Sequence, residues 1–299
     1  MEKVSILHLI TAAKNASPFD VNMAFDAGFD KIMPYTHVEL DEVAGLAQDA
    51  IFSRSPSGIK REAIFVGGRD IDLTMDMLEA AQRAMFPPFQ FSVFADPSGA
   101  FTTAAAMLAK VDFHLKRHFQ TSLSGKKVAV FGATGPVGGC VAVIAARQGA
   151  QVELVAHSST EAARDKAQSY NQRYGTSIGY VDGMNEVAKQ AVLEKADIAL
   201  CTAAAGVRVI TAAQIAHSRS LKVIADVNAV APTGAEGVDV MADGVAIAAT
   251  DVIGIGALAI GNLKYATQHN LLKQMLATDK PLYLEFMAAF EMAQNLAGA

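Results

Sequence analysis

The sequence predicts an α/β protein of two domains, each built on a parallel sheet, with the second sheet doubly wound and a ligand cleft between the domains. Three observations lead to this prediction. The chain has 299 residues, of which 52% are apolar and 18% charged, enough to fill two hydrophobic cores. Short apolar runs alternate with helical patterns along both halves of the chain. A glycine-rich turn at 132–138 joins an apolar strand to an apolar helix with no polar linker.

The first domain is predicted from an alternation of strands and helices over the first hundred residues. Ser17 is the expected N-cap of the first helix, with Pro18 at the first helical position and Asp20 closing a capping box. The predicted strands are 4–10, 31–34, 63–66 and 89–94, and the later helices are 39–51, 73–85 and 101–119. The polar segment 121–127 marks the boundary, which gives a first domain of residues 1–120.

The second domain, residues 121–277, also alternates. Its predicted strands are 128–131, 151–156, 198–201, 223–226 and 244–247. A glycine-rich stretch at 253–262 is followed by helical patterns at 263–277 and 281–296. We expect the C-terminal helix, about residues 278–299, to pack back on the first domain.

Charge and composition exclude several classes of protein. A net charge of −5 argues against a nucleic-acid partner. The N-terminus lacks the pattern of a signal peptide, and the apolar stretch 245–263 is interrupted by Asp251 and glycines, so no membrane span is expected. Cys140 and Cys201 lie in apolar elements and are predicted to be buried thiols of a cytoplasmic protein. His114 and His118 are four apart on a helix, but no metal site is predicted.

The glycine turn suggests a bound phosphate. Glycines let the backbone turn tightly and approach a ligand closely, and a helix N-terminus supplies free N–H groups with a positive dipole end. The alternative is a tight strand-to-helix turn without a ligand. Three more loops, 157–160, 202–206 and 226–232, also follow predicted strands. Because ligands bind at the carboxyl ends of such strands, we predict a Rossmann-like dinucleotide-binding domain.

The end of the second strand of this domain bears on the choice of coenzyme. An NAD site usually has an acid there, but 151–156 is followed by His157, Ser158, Ser159 and Thr160. The missing carboxylate removes the repulsion that would exclude a 2′-phosphate, and the usual arginine is also missing. The sequence therefore favours NADP and leaves NAD open. Alternatively, these four residues are only an N-cap cluster.

Six segments, in order along nearly the whole chain, resemble a known family. The sequence is similar to the NAD(P)-dependent methylene-tetrahydromethanopterin dehydrogenases of methylotrophic bacteria and, more distantly, to folate methylene dehydrogenases. The matching segments are SPFDVNMAFDAG (17–28), AIFVGG (63–68), DPSGAFTTAAA (96–106), GATGPVG (132–138), DVNAVAP (226–232) and IGALAIGNLKY (255–265).

This resemblance implies an oxidoreductase of one-carbon metabolism and formaldehyde oxidation. Hydride passes from methylene-tetrahydromethanopterin to C4 of nicotinamide and leaves a methenyl cation. The resemblance also implies a homo-oligomer, a trimer or a hexamer. The chain looks closest to the branch that accepts both NAD and NADP, since the NADP-dependent branch carries Arg-Lys where this chain has His157-Ser158.

The expected site residues fall into two groups, each with a structural alternative. The resemblance places Lys264 beside the pterin, with Gln268 one turn on, although some members carry histidine there; the alternative for Lys264 is a surface lysine. Phe19 is expected to stack on the pterin ring, and Asp20 is expected to accept hydrogen bonds from its N–H groups. The alternatives are a core phenylalanine and a capping-box carboxylate. Thr102, with Thr103, lines the cleft or caps a helix. Coenzyme contacts are expected from Gly132, Thr134, Gly135, Pro136, Val137, His157, Ser158, Thr202, Ala203, Asp226, Asn228 and Gly256, some of which are small enough to serve packing alone.

Other functions remain open on sequence grounds. A shikimate-dehydrogenase-like enzyme would need a lysine–aspartate pair for proton transfer, and only Lys14 and Asp20 offer one. A methylene-tetrahydrofolate dehydrogenase would share the chemistry with another carrier. A non-enzymatic dinucleotide sensor would bind coenzyme without turnover.

Overall fold

The computed structural model describes residues 4–298, which form two compact units. The first unit comprises the described residues up to Thr102 together with Tyr265–Met292. The second comprises Thr103–Lys264 and the described residues from Ala293. The chain therefore enters the second unit and returns to the first before its end.

The strands and helices follow in chain order. The strands are β1 (Ile6–Thr11), β2 (Lys31–Tyr35), β3 (Glu62–Gly67), β4 (Ser92–Ala95), β5 (Lys127–Phe131), β6 (Gln151–Ala156), β7 (Gly179–Asp182), β8 (Ile198–Cys201), β9 (Val223–Asp226), β10 (Asp243–Ala246), β11 (Ile253–Ile255) and β12 (Tyr283–Leu284). The helices are α1 (Pro18–Ala27), α2 (Val43–Phe52), α3 (Pro56–Ile59), α4 (Ile71–Ala84), α5 (Ala100–Phe119), α6 (Pro136–Arg147), α7 (Thr160–Tyr174), α8 (Glu186–Leu193), α9 (Ala212–His217), α10 (Ala257–Ala277) and α11 (Phe286–Leu296). Short 3-10 turns lie at Leu40–Glu42 and Pro97–Gly99.

The first unit is built on a five-stranded parallel sheet in the order β12-β4-β3-β1-β2. Every residue of β3 and β4 is buried, as expected of central strands covered on both faces. Helix α1 begins as predicted, because the Ser17 hydroxyl accepts from the Asp20 backbone N–H and Pro18 occupies the first turn. The sheet is completed from the C-terminal part of the chain by β12.

The second unit is built on a seven-stranded sheet in the order β10-β11-β9-β8-β5-β6-β7. All its neighbours are parallel except β10, which pairs antiparallel with β11. From β5 the chain adds β6 and β7 on one side and then crosses over to add β8, β9 and β11 on the other side. The direction in which strands are added therefore reverses between β5 and β8. Ligands bind at such a reversal, which makes the carboxyl ends of β5 and β8 the place to look for a site. The predicted α/β class is confirmed.

Several boundaries differ from the sequence predictions for local reasons. The strand predicted at 89–94 begins only at Ser92, since Phe89 turns back across Pro87 and Pro88 to bridge with Phe86. Helix α10 begins at Ala257, so Lys264 lies inside the helix and not at its start. A single interior glycine such as Gly261 costs a helix only about 1 kcal/mol, and its neighbours are good helix formers.

Three strands, β7, β11 and β12, were not predicted. They have four, three and two residues. Such short runs carry too little periodicity to be recognised. Both cysteines are buried free thiols, as predicted. In the described part of the chain, no helix is long and apolar enough to span a membrane.

Candidate functional site

The glycine turn of the second unit is packed tightly against the end of β8. Gly132 adopts φ = 79°, and a Cβ there would lie 2.5 Å from the Ala203 amide nitrogen. A Cβ on Gly138 would lie 2.8 Å from Thr202 Oγ1. Thr202 is itself fixed, because its hydroxyl donates to Phe131 O at 2.7 Å. Gly132 and Gly138 therefore serve close contact between the ends of β5, α6 and β8.

Gly135 differs from the other two glycines of the turn. It is the N-cap of α6 and provides no side-chain cap, and the nearest atom to an added Cβ is Gly132 O at 3.4 Å. Thr134 and Pro136 are exposed, and Val137 is half-buried. The first turn of α6 thus has backbone N–H groups without a capping side chain, and among the described residues Gly132 O alone lies within 4 Å of the Cβ position of Gly135. These features fit a diphosphate.

Asp226, at the end of β9, is a buried carboxylate that holds a loop. Its Oδ1 accepts from the Asn228 backbone N–H and its Oδ2 from the Ala235 backbone N–H, both at 3.0 Å. Burial raises the pKa of this carboxyl above its usual value, and the hydrogen bonds from Asn228, Ala235 and Gly234 oppose that rise. The carboxylate is thus committed to the loop that follows β9.

Asn228 joins two loops at the same edge of the sheet. Its Oδ1 accepts from Gly206 N at 3.2 Å and from Val230 N at 2.9 Å, and its Nδ2 donates to Pro232 O at 3.0 Å. Because this amide satisfies three backbone groups, it fixes the loop after β8 against the loop after β9. The expected contact of Asp226 and Asn228 with nicotinamide remains a prediction. In the structure, their side chains hold the backbone of the loops that follow β8 and β9.

The residues that follow β6 are arranged as a capped helix start with two exposed side chains. Ser159 is the N-cap of α7 and accepts from Ala162 N at 3.1 Å. His157 and Ser158 are exposed, and their Nδ1 and Oγ atoms lie 3.4 Å apart. The N-cap alternative thus holds for Ser159, whereas His157 and Ser158 remain available to a ligand.

Gly256 lies between β11 and α10 and is buried against protein backbone. A Cβ at this position would lie 2.6 Å from the Val240 carbonyl carbon. The absence of a side chain therefore allows close packing inside the second unit. A close approach of nicotinamide at Gly256 remains a prediction.

In the first unit, Asp20 and Gln268 meet across 248 positions of sequence. Gln268 Nε2 donates to Asp20 Oδ1 at 2.9 Å, and both side chains are buried. This is a long-range partner that the predicted capping box did not include. The other oxygen, Oδ2, lies near the end of β3, 3.9 Å from the Cβ position of Gly67. The pair thus places a buried carboxyl group at the carboxyl end of β3.

Phe19 and Lys264 are more exposed to solvent than the buried Asp20–Gln268 pair. Phe19, at the start of α1, is 45% exposed, which is not the burial of a core phenylalanine. Lys264 is half-buried in α10, one helical turn before Gln268, and is the last residue of this segment of the second unit.

Thr102 is fully buried in the first turn of α5 and is hydrogen-bonded to Asp96, whose carboxylate caps the start of the helix. Its hydroxyl donates to Asp96 Oδ2 at 2.6 Å, and Asp96 Oδ1 accepts from the backbone N–H groups of Phe101 and Thr102 at 2.9 and 3.2 Å. A pterin contact by Thr102 remains a prediction. The sequence analysis missed Asp96 as a fully buried acid, although an acid just before a helix is a recognisable capping signal.

Within residues 4–298, no group of three or more histidine, cysteine or acidic side chains is arranged to hold a metal ion. Each unit, taken by itself, offers candidate binding features. The second unit offers a helix N-terminus for a diphosphate. The first unit offers a buried carboxylate–amide pair with an exposed aromatic ring near it in sequence.

Residues 18–98 match the family described as methylene-tetrahydromethanopterin dehydrogenase, N-terminal. The chain is 46% identical over 294 residues to the NAD(P)-dependent methylenetetrahydromethanopterin dehydrogenase of Methylorubrum extorquens, covering 98% of this chain and 99% of that protein. It is 28% identical over 222 residues to the bifunctional protein MdtA of the same organism, covering 74% of this chain and 75% of that protein.

Comparison with solved structures gives fold similarity alone. The 5-ketofructose reductase of Gluconobacter sp. strain CHM43 aligns with a TM-score of 0.52 at 14% identity, covering 98% of this chain and 99% of that one. Shikimate 5-dehydrogenase of Listeria monocytogenes aligns with a TM-score of 0.52 at 11% identity, covering 91% and 92%. These structures do not decide the substrate, whereas the sequence match extends over almost the whole chain at high identity. The chain belongs to the family of NAD(P)-dependent methylenetetrahydromethanopterin dehydrogenases.

Proposed function

We propose that this chain oxidises methylene-tetrahydromethanopterin to methenyl-tetrahydromethanopterin with NAD or NADP as the hydride acceptor, in one-carbon metabolism. The observation that supports this most strongly is the 46% identity over 98% of the chain. The methylene C–H bond breaks with both electrons leaving as hydride. The lone pair of the adjacent pterin nitrogen then forms the C=N⁺ bond of the methenyl product.

This chemistry makes modest demands on the protein. The pterin nitrogen supplies the electrons that stabilise the cation, so no general base has to remove a proton. Catalysis then depends on holding two rings face to face at hydride-transfer distance and on the charges around them. The lack of a recognisable nucleophile–base set in the sequence is compatible with this requirement.

The second unit is proposed to hold the coenzyme. NAD(P), when bound, supplies a nicotinamide C4 that accepts hydride. The uncapped N–H groups at the start of α6 and the open side of Gly135 would bind the diphosphate. The loops joined by Asn228 would shape the nicotinamide end.

The first unit is proposed to hold the pterin. Phe19 would cover one face of the ring, and Asp20 would accept from ring N–H groups while Gln268 holds its other oxygen. A buried carboxylate also favours a cationic product over a neutral substrate. Lys264 would orient a polar edge of the substrate, since a cation near the reacting carbon would oppose the product charge. The cleft between the domains that this arrangement requires is part of the proposal.

A parallel assay tests the proposal. Methylene-tetrahydromethanopterin and methylene-tetrahydrofolate are each supplied with NAD⁺ and with NADP⁺, and reduced nicotinamide is followed by its near-ultraviolet absorbance. We expect turnover with the methanopterin derivative and both coenzymes. Turnover of shikimate, or coenzyme binding without turnover of any pterin, would contradict the proposal and support the alternatives.

Two further properties belong to the proposal. We propose a cytoplasmic protein, since Cys140 and Cys201 are free thiols and the substrate is a metabolic intermediate. We also propose a homo-oligomer, a trimer or a hexamer, that needs no nucleic acid or membrane partner. Light scattering coupled to size-exclusion chromatography measures the mass directly, and a monomer would contradict this part.

A further inference from the structure

The ends of β6 and β7 lie side by side at one end of the second sheet. The two strands are parallel, and Ala156 is in register with Asp182. The contact continues past the strands, because Gly183 N donates to Ala156 O at 2.9 Å. The turn after β7 is therefore held beside the turn that carries His157 and Ser158.

In a typical NAD site an acidic residue follows the second strand, which is β6 here; in this chain the carboxylate stands at the end of the neighbouring strand, β7. No acid follows β6, but Asp182 ends β7 and is exposed. Its Oδ1 accepts from Met184 N at 2.8 Å, which fixes the orientation of the carboxylate. Among residues 4–298, the structure gives Asp182 Oδ2 no hydrogen-bond donor. A fixed acceptor thus remains open at the carboxyl edge of the sheet.

An apolar side chain lies next to this acceptor in sequence. Met184, two positions on, is 47% exposed. A polarisable thioether packs well against an aromatic ring. An apolar surface beside a lone acceptor suits a flat base that carries an amino group, as adenine does.

The position along the sheet agrees with this ligand chemistry. Neighbouring strands are about 4.8 Å apart, so the end of β7 lies about 10 Å from the end of β5. A diphosphate at the start of α6 would place the adenosine ribose near the end of β6. The base extends beyond the ribose, towards β7.

We propose that the Asp182 carboxylate accepts a hydrogen bond from the exocyclic amino group of the coenzyme's adenine and thereby selects adenine over hypoxanthine dinucleotides. The inference rests on the proposed coenzyme site and adds a specificity residue to it. Hypoxanthine carries a carbonyl oxygen at C6, and two acceptors facing each other repel.

The test compares coenzymes that differ only at C6. Dissociation constants for NADH and for nicotinamide hypoxanthine dinucleotide (reduced) are measured by nicotinamide fluorescence, and kcat/KM is measured for the oxidised pair. The wild type should prefer the adenine form by about tenfold or more, the range of a charge-assisted hydrogen bond. Asp182→Asn keeps an oxygen for Met184 N but presents an amide N–H₂ to the base, so the preference should fall by about tenfold.

A matched control removes one exposed carboxylate from the other end of α8. Glu194→Gln makes the same change in net charge and should leave the preference as in the wild type. If Asp182→Asn does not fold, Asp182→Ser keeps a local acceptor for the turn and should still abolish discrimination.

Three results would overturn the proposal. One is a wild type that binds both dinucleotides equally. Another is an Asp182→Asn variant with an unchanged preference. The third is a change in the NAD⁺/NADP⁺ ratio without a change in the adenine/hypoxanthine ratio, which would assign Asp182 to the ribose. Pterin oxidation by the wild type is measured separately, so the failure of the proposed function would be distinguished from the failure of this inference.

Discussion

Replacing Gly138 with alanine should damage the second unit by forcing α6 away from β8. The added methyl would lie 2.7 Å from Ala133 Cα and 2.8 Å from Thr202 Oγ1. Ordinary carbon contacts need about 3.5–4.0 Å, so these groups must separate by about 1 Å. The hydrogen bond from the Thr202 hydroxyl to Phe131 O opposes this separation.

The expected cost is that of an overpacked core. Such insertions cost about 1–3 kcal/mol. For a protein of 299 residues, that lowers the melting temperature by about 2–5 °C. Differential scanning calorimetry measures this change, and coenzyme affinity should fall in the same variant because the start of α6 moves.

Gly135→Ala is the matched comparison within the same turn. Its methyl would meet only Gly132 O, at 3.4 Å, so the expected cost is the poorer N-cap preference of alanine, about 0.5–1 kcal/mol, without the overpacking expected at Gly138. The methyl would instead occupy the surface proposed for the diphosphate, and loss of one such contact weakens NAD(P)H binding by about tenfold in fluorescence titration. Wild-type stability of Gly138→Ala, or wild-type affinity of Gly135→Ala, would refute this division of roles.

Three more predictions concern other residues. Lys264→Ala should lower kcat by about a hundredfold with little effect on coenzyme affinity, since loss of positioning affects the reaction and not the dinucleotide; Lys273→Ala, exposed on the same helix, is the control, and an unchanged kcat removes Lys264 from the site. Asn228→Ala leaves three backbone groups unsatisfied and should raise KM for coenzyme more than KM for pterin; equal effects on both would contradict its proposed location. Backbone and side-chain hydrogen bonds from Ser5 lower the pKa of Asp30 below 3.8, so Asp30 contributes stability above that pH and loses it as pH falls through its lowered pKa. Urea titrations should therefore show Asp30→Ala less stable than the wild type at neutral pH, with a difference that shrinks in acid; a constant difference would contradict the assignment.

Local signals made much of the fold predictable. Ser17 and Pro18 identified the start of α1 because capping depends on adjacent residues. The apolar run before Gly132 identified β5, and the parallel class followed from the alternation of elements. By contrast, β7 alternates between half-buried and exposed residues over only four positions, and no sequence pattern of that length is distinctive.

The candidate site was less predictable because its contacts join distant residues. Asp20 was predicted either to close a local capping box or to contact the pterin, and its hydrogen bond with Gln268 of α10 joins residues 248 positions apart. Asp226 and Asn228 were expected to face a ligand, yet their side chains mainly satisfy buried backbone groups. Such groups must be paired when buried, and sequence does not indicate which loops need this.

The position of β12 has a consequence for the order in which the two units complete their folding during synthesis. This strand lies beside β4 in the first sheet, yet Tyr283 and Leu284 are translated after nearly all of the second unit. Until they emerge from the ribosome, β4 is an edge strand with unpaired backbone groups, of the kind that recruits other chains. The first unit is therefore synthesised first, but its sheet is completed last. A fragment ending near residue 120 would lack β12 and would leave β4 as an exposed edge strand.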